Sequence, residues 1–450
     1  MSTIGNTIDN KIDIYINDVC SYIKNRRVHE LIRLELQNHF DEIIEECLES
    51  GMSKDESVNH ALLQMGSSKI VGNNLNKSHK TNSDWLLLFI TSSLILFSFF
   101  ILLSLKNNTL ISSEFIYIPT LIIKSLFRLF ISMLISLIFI KIDFRSIKQY
   151  SLYIYFFSIL LVISSYLFSS SINGNKGWII VGSFGFNLVD LAPILLIVSL
   201  AGIFDNYDWN NNKLLFKGCV LAAIPSILLL SLSISVSVIY SISVAIILLL
   251  SGFKLRYLII TISSFSILLF AYIYSAAYRV QRLFAFFNPS TDPSGSGYLY
   301  NEILKIKKSA ELLGSSNSVI QLPEAHTTFI FTSIIYKLGL IASIIVLSVI
   351  VLFIIRLIFI GRKIKNLYGK LLVYGICTLF SIQFLLSILL SLGFSPLLNV
   401  NMPFISYGGG QLLINVLSIS LINNIYKNRN TPYNSTNNHL KSIKLRLEFK

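Results

Sequence analysis

A carboxylate and an imidazole stand two residues apart in Leu322-Pro-Glu-Ala-His-Thr-Thr-Phe-Ile-Phe331. Glu324 and His326 are the residue types of general acid–base work, because each can exchange a proton with a reacting hydroxyl near neutral pH. Upstream lies Tyr278-Arg-Val-Gln-Arg-Leu-Phe-Ala-Phe-Phe-Asn-Pro-Ser-Thr-Asp-Pro-Ser-Gly-Ser-Gly-Tyr298. Arg279 and Arg282 are three apart, which puts them on one face if the preceding helix continues outward. Guanidinium groups suit bidentate recognition of phosphate. Asp292-Pro-Ser-Gly is a turn signal, and a structural role explains Asp292 as well as a functional one. A lone Glu-x-His is a weak signal. Its weight here comes from position, since these polar segments interrupt a chain that is otherwise almost continuous apolar helix.

Two further cations sit inside an apolar run. Lys124 and Arg128 are four apart, on one helical face. Burying either in lipid costs about 2.5–3.5 kcal/mol, so each either snorkels to the interface or faces a cavity or partner. In the second case they line a cationic pocket for a pyrophosphate, with Asp190 as a candidate counter-ion. A second polar stretch, Gly174-Asn-Lys-Gly-Trp178-Ile, contributes Lys176 and Trp178. A tryptophan there also reads as a membrane-interface anchor.

The elements that must position these residues are membrane helices. The chain has 450 residues, 53% hydrophobic and 13% charged, with mean hydropathy +0.67. Soluble domains carry about 25% charged residues. The expectation is an all-α polytopic membrane protein with spans at about 85–105, 118–140, 150–169, 187–204, 214–232, 234–252, 256–277, 327–357, 370–392 and 403–425. Ten spans put both termini on one side. Lys141, Arg145, Lys148, Lys213, Lys217, Lys254, Arg256, Arg356, Arg362, Lys363, Lys365 and Lys370 then share one face, which is cytoplasmic by the positive-inside rule. The segment 278–326 faces outward.

Residues 1–80 read as a small cytoplasmic helical domain. An apolar rhythm runs from Ile12 to Leu48, Gly51 stops a helix, and Ser53-Lys-Asp-Glu56 is a capping-box restart. Residues 85–427 form the membrane domain, and 428–450 a basic tail suited to disorder or to anionic lipid. The net charge of +14 fits cytoplasmic loops and lipid contact. No basic stripe with interleaved aromatics points to nucleic acid, and no phosphate-binding glycine loop points to ATP-driven work. Cys20, Cys47, Cys219 and Cys377 lack metal-ligand spacing and imply no disulfide framework. No metal site is read from these residues.

With these motifs in hand, the chain resembles the SEDS family (shape, elongation, division and sporulation), the FtsW/RodA/SpoVE proteins of bacterial cell-wall synthesis. Typical members carry Y-R-V-Q-R-L-x-A-F-x-N-P-x-x-D-P-x-G-S-G-Y, then L-P-E-A-H-T-D-F-I-F, then P-F-I-S-Y-G-G. The last appears here as Pro403-Phe-Ile-Ser-Tyr-Gly-Gly409 and brings in Ser406 and Tyr407. The resemblance covers about residues 85–430. Residues 1–80 resemble the short helical prefix found ahead of some Gram-positive permeases and SEDS paralogs. The resemblance implies a SEDS-like bundle in the plasma membrane, multi-pass, with a glycosyltransferase activity that polymerises lipid II. The sugar 4-hydroxyl of one unit attacks the anomeric carbon of the growing chain and the lipid pyrophosphate leaves. It also implies a class B penicillin-binding protein as partner and a divalent cation, magnesium or manganese, as cofactor.

This chain departs from the family pattern in several places. The Asp of H-T-D-F-I-F is Thr328, and a threonine hydroxyl has no useful basicity near neutral pH. The usual P-D-x-G-T is Ser233-Ile-Ser-Val-Ser237, and the acidic pair after H-T-D-F-I-F is Tyr336-Lys337. In G-x-[RK]-R-W-I, Gly177 replaces the second basic residue; downstream, Asp190 stands for a Glu and Pro193 for a Lys. Three functions follow as alternatives. The first is a polymerase in which Arg279, Arg282 and Lys176 grip pyrophosphate and Glu324 or His326 serves the hydroxyl. The second is a non-catalytic scaffold that keeps the substrate groove or binds a partner. The third is a lipid-precursor transporter, against which the chain shows no inverted repeat.

Overall fold

In the computed structural model the described residues are 2–78, 82–105, 118–141, 143–172, 175–181, 184–293, 295, 297–314, 322–396, 399–408 and 410–429. The chain divides into two compact units, Asp84–Tyr426 and a smaller one that includes the residues up to Ser83.

In the smaller unit, α1 (Ser2–Ser21) is followed by a 3-10 turn, α2 (His29–Glu49), α3 (Lys54–Met65) and α4 (Ser68–Ser78). Ile16, Val19, Ile32, Phe40 and Ala61 make its core. The restart before α3 is a full capping box: Ser53 N–H donates to Glu56 Oε2 at 3.1 Å, and Glu56 N–H to Ser53 Oγ at 3.4 Å. α4 was not anticipated from the sequence. Its few apolar residues, Ile70, Val71 and Leu75, give little rhythm to read.

The larger unit is a helical membrane bundle. Its helices are α5 (Trp85–Leu105), α6 (Ile118–Lys141), the short α7 (Phe144–Lys148), α8 (Ser151–Phe168), α9 (Leu188–Ile203), α10 (Asn212–Leu232), α11 (Ile234–Leu250), α12 (Leu255–Tyr274), α13 (Ala277–Phe287), α14 (Tyr298–Lys308), α15 (Ile330–Lys363), α16 (Leu367–Ser391) and α17 (Gln411–Lys427). Each of the ten expected spans overlaps one of these, although the last, expected from residue 403, begins only at Gln411 in α17, after a turn at 403–406. Among the described residues, α5, α8, α10, α12, α15 and α16 are long and apolar enough to cross a bilayer, and α9 and α11 are shorter apolar helices.

α9 and α16 pack on each other and on α11. A Cβ at Gly375 of α16 would lie 2.8 Å from Ile197 of α9 and 2.9 Å from Ile247 of α11, so the missing side chain is what lets these helices meet. Pro225 in α10 has no N–H, which removes the usual donor to the Leu221 carbonyl. Tyr155 of α8 supplies one, its hydroxyl donating to Leu221 O at 3.0 Å. Tyr155→Phe is therefore expected to destabilise the protein by about 1–3 kcal/mol, because it leaves the part-buried Leu221 carbonyl without its donor. Thermal unfolding in detergent would show it, and an unchanged Tm would refute this assignment.

Three features differ from the sequence reading. First, the segment between α8 and α9 is a three-stranded antiparallel sheet of β1 (Ser170–Ile172), β2 (Asn175–Val181) and β3 (Phe184–Asn187), so the unit is not wholly helical. Second, Arg356, read from the sequence as one of the cations of the cytoplasmic face, lies inside α15 and is paired there. Its Nη2 and Nε sit 2.6 and 3.1 Å from the two oxygens of Asp84, whose side chain is fully buried. The same carboxylate accepts from Leu87 N–H at the start of α5, and Asp84 N–H donates to Asn423 of α17.

Third, α15 is two helices joined at Gly339, whose φ of 87° and ψ of 179° are not helical. At roughly 1.5 Å per residue, the 34-residue run would be about 51 Å long, well over the roughly 30 Å of bilayer hydrocarbon. The break is satisfied from outside the helix. Leu340 N–H donates to Glu311 O at 3.0 Å and Ile341 N–H to Leu312 O at 3.2 Å. A Cβ on Gly339 would lie 2.4 Å from both Leu312 O and Gly314 N, so only glycine fits.

Candidate active site

The L-P-E-A-H-T segment folds into a tight turn just before α15. Glu324 adopts a left-handed backbone, φ 55°, and its carbonyl accepts from Thr327 N–H at 3.1 Å and Phe329 N–H at 3.2 Å. A non-glycine residue held there costs on the order of 1–3 kcal/mol, so neighbouring packing must enforce it. Ala325 and Phe329 are buried, and Ser333 Oγ donates to Ala325 O at 2.8 Å.

The P-F-I-S-Y segment is a second turn laced to the first. Ser406 Oγ donates to Thr327 O at 2.8 Å, and Tyr407 N–H to His326 O at 2.9 Å. Ser406 Oγ also accepts from Met402 N–H. Phe404 has φ 62°, and its ring packs between Phe353 and Phe380 with centroids 5.5 and 5.3 Å away. Ser98 of α5 donates to Ile405 O at 2.7 Å. Two segments about 80 residues apart in sequence thus form one platform.

Polar side chains converge on that platform. Thr328 Oγ1, on a residue 4% exposed, lies 2.6 Å from Glu324 Oε2 and 2.9 Å from Asn399 Oδ1. Arg128 reaches across from α6, its Nη1 donating to Tyr407 Oη at 3.2 Å. The His326 and Tyr407 rings lie 5.8 Å apart. Glu324 and His326 are both half-buried. Of the expected site residues, the structure brings together Glu324, His326, Thr328, Arg128, Ser406 and Tyr407. Lys124 is on the same helix one turn from Arg128.

The others are placed elsewhere or given other tasks. α12 ends at Tyr274 and α13 starts afresh at Ala277, so the expected continuous helix beneath Arg279 and Arg282 is broken. Arg279 Nη1 donates to Tyr272 O at 2.6 Å and Ser275 Oγ at 2.9 Å, and the guanidinium lies 3.7 Å from the Tyr272 ring centroid. It caps the end of α12. Arg282 is exposed on α13. Asp292 closes its own turn by accepting from Gly295 N–H at 3.0 Å. Asp190 stands in the first turn of α9. In the sheet, Trp178 pairs in register with Asn187, and Lys176 with Ser171; the side chain of Lys176 lies outside the described residues. Gly177 has φ 117°, and a Cβ there would lie 2.4 Å from Val189 and 2.5 Å from Asn187. That is why no second basic residue stands at this position.

The segment between α13 and α15 is fastened by α14. Tyr300 donates to Ser395 O at 3.2 Å and Lys307 to Leu392 O at 2.9 Å. Lys305 lies 2.5 Å from Glu302, and that hydrogen bond raises the ammonium above its ordinary pKa.

The family model FtsW/RodA/SpoVE, described as "Cell cycle protein", matches residues 84–431. The chain belongs to the FtsW/RodA/SpoVE family. It is 30% identical over 316 residues to the probable peptidoglycan glycosyltransferase FtsW of Coxiella burnetii, covering 67% of this chain and 84% of that protein. The FtsW of Buchnera aphidicola subsp. Acyrthosiphon pisum, named in the same way, is also 30% identical, covering 72% and 84%. Among solved structures, one similar chain comes from a peptidoglycan synthase complex described as coordinating polymerization and crosslinking. It has TM-score 0.64 and 19% identity, covering 78% of this chain and 99% of that one. The rod shape determining protein RodA of Thermus thermophilus matches with TM-score 0.59 and 19% identity, covering 77% and 97%. These two likenesses establish the FtsW/RodA/SpoVE bundle as the fold. The chain is accordingly an integral membrane protein.

Asn399 is the site residue that the sequence reading missed. Its only signal is an amide in a largely apolar approach to the P-F-I-S-Y motif. As for the expected magnesium or manganese, among the described residues no three His, Cys, Asp or Glu side chains come together to hold a metal ion. Among the described residues of the platform Glu324 is the one carboxylate, and a lone carboxylate does not build a divalent-cation site.

Proposed function

We propose that this chain is a SEDS-type peptidoglycan glycosyltransferase that polymerises lipid II on the outer face of the cytoplasmic membrane. Both termini and the basic tail 428–450 lie in the cytoplasm, residues 1–80 form a separate cytoplasmic domain, and a class B penicillin-binding protein is the partner. The observation that carries the reading is the Thr328–Glu324 hydrogen bond of 2.6 Å. Where the family pattern has an Asp, this chain has a hydroxyl bound to a carboxylate four residues earlier.

Glu324 is the general base. It takes the proton of the sugar 4-hydroxyl as that oxygen bonds to the anomeric carbon of the growing strand. The bond from that carbon to the pyrophosphate oxygen breaks, and the lipid pyrophosphate departs with the electron pair. Arg128, held at Tyr407, meets the developing charge, with Lys124 one turn away on the same helix. His326 is the second proton-transfer group.

The replacement at Thr328 also supports the scaffold reading, in which the groove is kept and the chemistry is lost. Glycan synthesis from purified lipid II separates the two. The wild-type chain, with and without its transpeptidase, is compared with Thr328→Asp. Polymer from wild type is expected. Polymer from Thr328→Asp alone would overturn the polymerase reading in favour of a scaffold.

A further inference from the structure

The Thr328 hydroxyl has a single proton and two oxygen neighbours, Glu324 Oε2 at 2.6 Å and Asn399 Oδ1 at 2.9 Å. As placed, two acceptors compete for one donor. Thr328 is buried, so its hydroxyl has no bulk water to turn to. A half-turn of the Asn399 amide, which exchanges atoms of nearly equal size, resolves it. The amide nitrogen then donates to Thr328 Oγ1, and the only hydroxyl proton goes to Glu324.

We propose that Asn399 is a positioning residue for this site: its amide fixes the Thr328 hydroxyl so that it donates to Glu324 Oε2 and holds that carboxylate in one orientation. This rests on the reading of Glu324 as the base. Asn399 does not touch the reacting atoms and acts through Thr328. Its own place is held by the residues that follow it. Val400 and Met402 behind it are buried, and Met402 N–H donates to Ser406 Oγ, which in turn donates to Thr327 O beside Thr328. The relay therefore joins the two turns by side chains as well as by backbone.

The test is a double-mutant cycle in the glycan assay with the full chain and purified lipid II. Asn399→Asp keeps the size and the acceptor but loses the amide donor. It is expected to lower kcat about tenfold or more with KM within twofold of wild type. Thr328→Val is expected to do the same, and the double variant to be no worse than Thr328→Val alone. Because Asn399→Asp also brings a negative charge close to Glu324, Asn399→Leu, of similar size and uncharged, is read beside it: a residue that merely fills space would leave Asn399→Leu active. Full activity in Asn399→Asp, or losses that multiply in the double variant, would overturn the proposal.

Glu324→Gln in the same assay separates this outcome from failure of the base reading. If Glu324→Gln is active, Glu324 is not the base, and the proposal falls with that reading whatever Asn399 does. If Glu324→Gln is inactive while Asn399→Asp is fully active, only the positioning role falls. Should wild type make no polymer, the same cycle read by thermal unfolding decides whether the bond exists: non-additive Tm shifts retain it and additive shifts overturn it.

Discussion

Glu324→Gln is expected to slow glycan-strand formation by about 10²–10⁴-fold, the usual contribution of a positioned general base. Glutamine has nearly the same shape and can still accept from Thr328 through its amide oxygen, so the turn should survive while the basicity is lost. His326→Ala serves as the comparison. Its ring lies beside Tyr407, and its loss is expected to cost less than that of Glu324 if the carboxylate is the base. Initial rates from purified lipid II give both numbers. A Glu324→Gln rate within tenfold of wild type, with His326→Ala inactive, would move the base to the imidazole.

The largest expected effect on folding comes from the Asp84–Arg356 pair. Arg356→Met should destabilise the protein by about 3–5 kcal/mol, because it strands a fully buried carboxylate. The remaining donor to that carboxylate, Leu87 N–H, cannot replace a bidentate guanidinium. Adding Asp84→Asn to Arg356→Met is expected to recover much of the loss, since the stranded charge is then removed as well. Protein recovered from membranes and thermal unfolding in detergent would report it. An Arg356→Met chain as stable as the parent would mean that the pair contributes little.

What could be read from the sequence follows from the range of the forces involved. The helices of the bundle announce themselves because crossing a bilayer requires long apolar runs, and the turn motifs because their residue types are local demands. Contacts between distant segments left no such mark. The Arg356 partner is 272 residues away, and Asn399 is 71 residues from Thr328. Arg279 reads as a phosphate ligand because it is a cation in an outer loop, yet its guanidinium caps the helix just before it. The sheet around Trp178 was hidden because its strands are short and one turns on Gly177, whose φ a sequence does not display. Gly339 was hidden for the same reason, since Lys337-Leu-Gly-Leu340 sits in a run apolar enough to read as one helix.

The break at Gly339 also furnishes a native spectroscopic reporter. In an unbroken helix the amide protons of Leu340 and Ile341 would be shielded by the helix itself. Here they are shielded by Glu311 and Leu312, residues of the segment that follows α14. Their exchange with deuterium is therefore set by how long that segment stays docked, and not by fraying of the membrane helix around them. Two backbone positions thus record, without any label, whether a bound molecule loosens or clamps the segment that precedes α15.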